Sequence, residues 1–364
     1  MIRSILMIFG LIMLSSCVAH LNTYQQDLDF IHAAILENHP GIYNKQDPQF
    51  NSSLKTSYNQ AKQKLLNARS LEQYKQVLGD FIKSFHDTHL CVEWNKDDKK
   101  NLKQSKSAAD IAQFSISILS EDIVWIRLPT FALNTKQEKD FEKLIQEITK
   151  LRRNKYIVFD LRGNTGGNTD YGSKVVDSLF GEEYSEHKRC LANKNVYVDW
   201  RASEGNLDHI SRLANRYSNH WLQSIEQGFK ESIAQDKKYY RATSPQSCDL
   251  QKHSKHNKQA RTQVIVIIDS VNVSAALDFI DELKLMTPSV LLVGKKTKAD
   301  RLYMELRSIS LPSGIGSFCF PIKVYRNRPR LDNKAYLPNV ELRDIADTSV
   351  LQRVTIEKIR EIYE

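Results

Sequence analysis

Cysteine, proline and glycine are all sparse in this chain, at five, nine and thirteen of 364 residues. So few cysteines exclude a disulfide-stapled miniprotein, and so little glycine and proline exclude a collagen or a low-complexity tract. A membrane-length apolar run is missing too: Ile5 to Leu14 spans roughly ten residues where a crossing helix needs ~20. No CxxC, HExxH or clustered His/Cys spacing is present, so no metal and no cofactor are expected. Basic clusters such as Lys99-Lys100 and Lys295-Lys296 are short and lack interleaved aromatics, which excludes a nucleic-acid partner despite the net charge of +9. What is there is a globular composition, 41% hydrophobic and 26% charged, enough for a sizeable core in one or two domains.

Residues 1–16 read as a signal peptide, with Arg3 followed by the apolar run and then Leu14-Ser15-Ser16 before Cys17. These small residues resemble the lipobox of bacterial lipoproteins, in which the cysteine is acylated and becomes the new N-terminus. Two or three acyl chains, at about 0.8 kcal/mol per buried CH₂, anchor a protein stably. The expectation is therefore a lipidated Cys17, a linker over 17–22, and a protein tethered to the bacterial cell envelope. Val18 resembles the sorting pattern for the periplasmic face of the outer membrane. In that oxidising compartment cysteines can pair. Cys190 and Cys248 bracket a polar stretch and are the expected disulfide, while Cys91 and Cys319 sit among apolar neighbours as buried thiols. Four cysteines still allow three pairings.

Apolar spacing predicts helices over most of 23–88: Leu54, Tyr58, Ala61 and Leu65 share one face, as do Leu71, Tyr74, Leu78 and Phe81. A helical N-terminal subdomain with its connector is expected over 23–113. From 114 to 364 strands and helices alternate, with strands at 114–119, 123–128, 156–161, 263–269 and 290–293. That order means an α/β core with a mainly parallel sheet. Two further strands, 306–311 and 317–325, and a helix opened by Asp347 close the chain, and the polar stretch 181–260 reads as an insertion.

Two strand-to-helix junctions can carry chemistry. In Phe159-Asp160-Leu161-Arg162-Gly163-Asn164-Thr165-Gly166-Gly167 a buried strand runs into a loop with three glycines. Such a loop can cradle a phosphate or an oxyanion, or serve only as a tight turn. In Ile268-Asp269-Ser270-Val271-Asn272-Val273-Ser274-Ala275-Ala276 a serine opens a helix. It reads either as an N-cap or as a nucleophile, because a helix N-terminus favours developing negative charge.

The first string resembles the "DLRGNxGG" signature of the tail-specific, or C-terminal-processing, serine peptidases, and Ser274-Ala275-Ala276 resembles their "SAA" nucleophile turn. Colinear likenesses follow: Glu37-Asn38-His39-Pro40-Gly41-Ile42-Tyr43 to "E-x-HPGLY", Asp87-Thr88-His89 to "DGHT", Ile126 to Phe131 to "YIRIPxF", Gly294-Lys295-Lys296-Thr297 to "GExT", and Leu311-Pro312-Ser313-Gly314 to "LPNSG". The resemblance implies a ClpP/crotonase-like core. Only 37 positions separate His89 from Ile126, too few for the PDZ domain that captures substrate C-termini in many members.

The resemblance further implies acyl transfer from a peptide or protein substrate. Ser274 is the nucleophile, and the backbone N–H of Gly166 or of Gly167, with that of Ala275, holds the oxyanion. The lysine of the Ser–Lys dyad falls at Asp300, so that dyad is absent, and Lys298 is the alternative base. The tricorn-like branch takes its base from the "DGHT" histidine, here His89, oriented by a glutamate that corresponds through Tyr303-Met304-Glu305 to Glu305. His86 competes with His89 but reads as a surface helix histidine. Against hydrolysis stands the same fold as a catalytically inactive binder of a peptide or apolar ligand. Leu277, where many relatives carry glutamate, and Asn339, where "PD" is usual, favour that alternative. The oligomeric state is not legible.

Overall fold

The computed structural model describes residues 23–95, 113–243 and 260–363. In chain order its strands are β1 (Cys91–Trp94), β2 (Ser115–Ile118), β3 (Ile123–Arg127), β4 (Tyr156–Asp160), β5 (Tyr197–Arg201), β6 (Tyr239–Thr243), β7 (Gln263–Ile268), β8 (Leu291–Gly294), β9 (Tyr303–Ser310), β10 (Gly316–Arg326) and β11 (Val340–Glu341). They form two sheets, each in its own compact unit.

The first unit gathers the described parts of 1–101 and 196–244 with Arg301–Arg328. Its helices are 23–38, Phe50–Leu65 and Leu71–Lys83, where the apolar spacing predicts them, followed by Glu204–Tyr217 and His220–Ala234. Ser70 starts the Leu71–Lys83 helix by accepting from Gln73 N, which satisfies one of the donors that a helix N-terminus leaves open. Strand β10 organises an antiparallel sheet: β9 runs along one edge, while β1 and β5 pair with opposite ends of the other. Alternation along β10 turns Phe318, Phe320 and Ile322 toward Leu28, Ile31, Leu54 and Phe81 of the helices. Each such side chain contributes roughly 1.5–3 kcal/mol when fully buried.

The second unit comprises the described parts of 102–195 and 245–300 with Pro329–Glu364. Its sheet has the order β11-β8-β7-β4-β3-β2. All neighbours are parallel except β2, a short antiparallel edge strand. A parallel sheet is buried on both faces, which is why β4 and β7 are near-continuous apolar runs. Ile157, Phe159, Val264 and Val266 pack under the helices Thr135–Lys150, Thr169–Phe180 and Ala275–Met286 through Phe141, Leu144, Val175, Phe279 and Leu283. On the other face Val158, Ile265 and Val293 meet Leu351 and Ile359 of the closing helix Thr348–Tyr363.

Two expectations change here. The run 114–364 does not form one continuous unit, because β9 and β10 pair with β1 rather than with the parallel sheet. Nor is 181–260 only an insertion: β5 extends the β10 edge, and its Trp200 is a core residue beside Phe229. The polar composition hid a strand that alternates Val198 and Trp200 inward.

Candidate functional site

Ser274 stands between β7 and the helix Ala275–Met286 with φ 59 and ψ −129. Only glycine visits such a conformation cheaply, and holding another residue there costs on the order of 1–3 kcal/mol. Its side chain makes no capping hydrogen bond to the helix, so the N-cap reading does not describe what this serine does. Its carbonyl accepts from Leu277 N at 2.8 Å and Asp278 N at 3.1 Å.

The strain is held by an asparagine lattice. Asn272 Nδ2 donates to Leu161 O at 2.6 Å and to Asn164 O at 3.0 Å, while Asn272 Oδ1 accepts from Asp269 N at 2.7 Å. Gly163 N donates to Asp269 Oδ2 at 2.7 Å. Asn164 Nδ2 donates to Leu128 O at 2.9 Å, and its Oδ1 accepts from Gly166 N at 2.9 Å. Both loops thus leave the carboxyl ends of adjacent parallel strands and are bonded to each other, the usual place for a ligand site in an α/β sheet. Beneath them the fully buried Asp160 is neutralised by Arg127 at 2.8 Å and Arg162 at 2.6 Å. Arg162 reaches on to Thr348 Oγ1 and Ile345 O.

The glycines divide their roles. A Cβ on Gly166 would meet Ser274 Cβ at 2.8 Å, so the loop touches the serine directly. The Gly166 N–H, expected as an oxyanion donor, is already spent on Asn164. Gly167 bridges Phe131 in parallel through the groups flanking it, Gly166 O and Asn168 N, and this pairing does not use its own N–H. The oxyanion candidates that remain are the N–H groups of Gly167 and Ala275.

Asp300, at the dyad-lysine position, is a structural ion. Arg330 binds it at 3.1 Å, Asp278 at 2.7 Å and Asp281 at 2.9 Å, and both Asp300 and the Arg330 side chain are buried. The three carboxylates hold the guanidinium well above its ordinary pKa against the opposing effect of burial. Lys298 donates its backbone N–H to Asn272 O at 3.1 Å, beside the turn that carries Ser274, and its side chain is exposed.

In the first unit His89 and Asp87 are both buried. His89 Nδ1 lies 3.6 Å from Asp87 Oδ1, and His89 N donates to the same oxygen at 2.9 Å. His39 Nε2 approaches Asp87 Oδ2 at 3.8 Å, while His39 Nδ1 accepts from Gly41 N at 2.9 Å, which places the ring proton on Nε2. Burial alone would push the Asp87 carboxyl up, but the two imidazoles flanking it, His39 and His89, outweigh burial and hold it well below the carboxylate range. Burial lowers His39, keeping it neutral.

The carboxylate beside His89 Nδ1 is therefore Asp87, where the resemblance points to Glu305. Glu305 Oε2 accepts from Lys323 Nζ at 3.0 Å, and that cation, more than any other influence, lowers its pKa. The β9–β10 ladder skips Glu305, whose φ is 63. Arg301 and Arg307 are engaged elsewhere, on Asp47 and Asn38. His86 is exposed, as expected, but lies beyond the end of the Leu71–Lys83 helix rather than on it. Asp87 belongs to the Asp87-Thr88-His89 string, and its i,i+2 spacing to His89 is the signal in the sequence that points to the pair.

Cys190 is disulfide-bonded and Cys91 and Cys319 are free; the expected partner Cys248 lies outside the described residues, as does Cys17. Among the described residues no helix is long and apolar enough to cross a membrane.

The model of a family described as "Peptidase family S41" matches residues 122–330. Among solved structures, mature CPAF superposes with a TM-score of 0.55 at 11% identity, covering 88% of this chain and 93% of that one. Mature CPAF complexed with lactacystin gives 0.54 at 12%, covering 88% and 94%. A lipoprotein from Streptococcus agalactiae gives 0.49 at 12%, covering 93% and 97%. At such identities the CPAF likeness is one of fold. No curated protein matches the chain.

Proposed function

This chain belongs to peptidase family S41, serine-type peptidases acting on peptides or proteins, and we propose that it hydrolyses peptide bonds through an acyl-enzyme on Ser274. Ser274 Oγ attacks the scissile carbonyl while His89 takes its proton. Collapse of the tetrahedral intermediate breaks the C–N bond, and His89 returns the proton to the leaving amine. Water, deprotonated by the same imidazole, then attacks the ester; collapse breaks the acyl C–Oγ bond, the imidazolium returns the proton to Ser274 Oγ, and the acid leaves. The N–H groups of Gly167 and Ala275 stabilise the oxyanion, each worth ~2.7–4 kcal/mol in such sites.

The observation that carries this reading is the strained backbone of Ser274, kept at a strand-to-helix turn by residues of both loops. A serine needed only as a cap would adopt extended backbone and bond the helix. Asp87 supports His89 as base, because a carboxylate beside Nδ1 leaves Nε2 to accept a proton. On this reading the enzyme is of the Ser–His type, has a crotonase-like core without a PDZ domain, and is tethered by a lipidated Cys17 to the periplasmic face of the outer membrane.

The test is covalent labelling with a fluorophosphonate alongside peptide hydrolysis. Ser274→Ala and His89→Ala should each abolish turnover, and Ser274→Ala should also abolish labelling, while Lys298→Met keeps both. Hydrolysis surviving in His89→Ala but lost in Lys298→Met would move the base to the lysine. A wild-type protein that neither labels nor hydrolyses any peptide in a broad library would point to the ligand-binding alternative. For the anchor, radiolabelled palmitate should enter the wild-type chain and not Cys17→Ser.

A further inference from the structure

We propose that Cys91, Glu93 and Cys319 form a binding site for a thiophilic divalent cation of the zinc class. Strand register makes the site. Cys91 stands directly opposite Cys319 in the β1–β10 ladder, with Glu93 two residues along β1, so alternation brings all three side chains to one face. The other face carries Val92, Trp94, Phe318 and Phe320 into the core, which fixes the donors on rigid strands rather than on loops.

The two sulfurs and a Glu93 carboxylate oxygen lie within 4.8 Å of one another, the one such grouping of three or more His, Cys, Asp or Glu among the described residues. Tetrahedral zinc, with Zn–S bonds of about 2.3 Å, requires sulfurs about 3.8 Å apart, so closure is a rotamer adjustment of about 1 Å or less. Both thiols are free. Cys319 is further contacted by the Ser308 hydroxyl, 3.9 Å from its sulfur.

Two sulfurs and one carboxylate suit zinc, whereas calcium and magnesium take six or more oxygens. The exposed Glu93 and the half-buried Cys91 leave an approach for the ion, and three protein donors leave a fourth position for water. A disulfide would use the same sulfurs and give Glu93 no part.

The experiment titrates Co²⁺ into full-length protein purified with a mild reductant that spares the Cys190 disulfide. Expected are one equivalent bound, a sulfur-to-cobalt charge-transfer band in the near ultraviolet, tetrahedral d–d bands in the visible, and their loss on adding Zn²⁺. Cys91→Ser and Cys319→Ser should each remove the charge-transfer intensity or reduce it severalfold, and Glu93→Gln should weaken binding tenfold or more. Cys91→Ala serves as a second variant, and circular dichroism confirms that each variant is folded. No bands at stoichiometric cobalt, bands unchanged in both serine variants, or two sulfurs already joined in protein purified without reductant and taking up no cobalt after reduction would each overturn the proposal.

Discussion

A Cβ placed on Gly166 would stand 2.8 Å from Ser274 Cβ, 2.9 Å from Val273 O and 3.0 Å from Ala275 N, and Gly166 itself has φ +94. The second glycine of the loop is thus the wall against which the serine rests. Gly166→Ala must push Ser274 or the loop aside, and misplacing a nucleophile by about 1 Å costs on the order of 10²-fold in rate. The expected result is a fall in kcat of at least that size, with KM changed far less, read by steady-state peptide hydrolysis. A near-normal kcat would mean that Ser274 is not the reacting group or that the loop yields freely.

Strain at Ser274 gives a stability test independent of turnover. Glycine tolerates φ 59 and ψ −129, whereas alanine keeps the conflict. Both Ser274→Gly and Ser274→Ala should be inactive, but the glycine variant should be the more stable by about 1 kcal/mol, seen as a higher Tm. Equal Tm values would show that the loops impose no strain at this position.

The parts of the site visible in sequence are those whose causes are local. Strands β4 and β7 are contiguous apolar runs, the glycine loop follows one and Ser274 the other, so each junction is legible within a dozen residues. What escaped depends on partners far along the chain. Asp300 becomes a structural ion because Arg330 folds back on it, and β5 joins the core sheet by pairing with β6 on one side and, on the other, with β10, over a hundred residues later. Glu305 matched a motif letter, yet Lys323 claims it across the β9–β10 hairpin. Between Gly166 and Gly167 the sequence does not choose, because the acceptor that takes the Gly166 N–H, Asn164 Oδ1, is a side chain whose direction no pattern specifies.

Arg330 joins three aspartates, and that arrangement predicts what happens when the dyad lysine is restored at position 300. Asp300→Lys would set an ammonium against a buried guanidinium and leave Arg330 one carboxylate short. Removing one partner of a buried pair costs about 3–5 kcal/mol. The expected outcome is a large drop in Tm and no gain in activity. A stable variant with raised turnover would show that the position still serves a Ser–Lys dyad.

Which carboxylate positions His89 separates two variants. Asp87→Asn removes the charge 3.6 Å from Nδ1 and should lower kcat by 10²-fold or more, with the loss concentrated in the chemical step rather than in KM. Glu305→Gln removes the carboxylate that Lys323 Nζ binds and should leave kcat within a few fold. The reverse ranking, with Asp87→Asn folded by circular dichroism, would return the orienting role to Glu305.

The same cluster sets the acid stability. His39 is fully buried and its pKa is lowered by that burial. Between this depressed value and about 6.5 the unfolded chain binds a proton that the native state refuses, so stability falls as the pH drops below about 6.5. Asp87 has the opposite charge but the same sense. Its lowered pKa contributes stability that is complete above about pH 4 and is lost progressively as the pH falls below that. Tm measured from pH 3 to 8 should therefore be flat above about 6.5 and decline in two stages. His39→Gln keeps a donor toward Asp87 and should flatten the upper stage, although the half-buried His209, also lowered by burial, retains part of it. Asp87→Asn should flatten the lower stage. An unaltered slope between pH 5 and 6.5 in His39→Gln would show that the buried imidazole takes up its proton without opposing the fold.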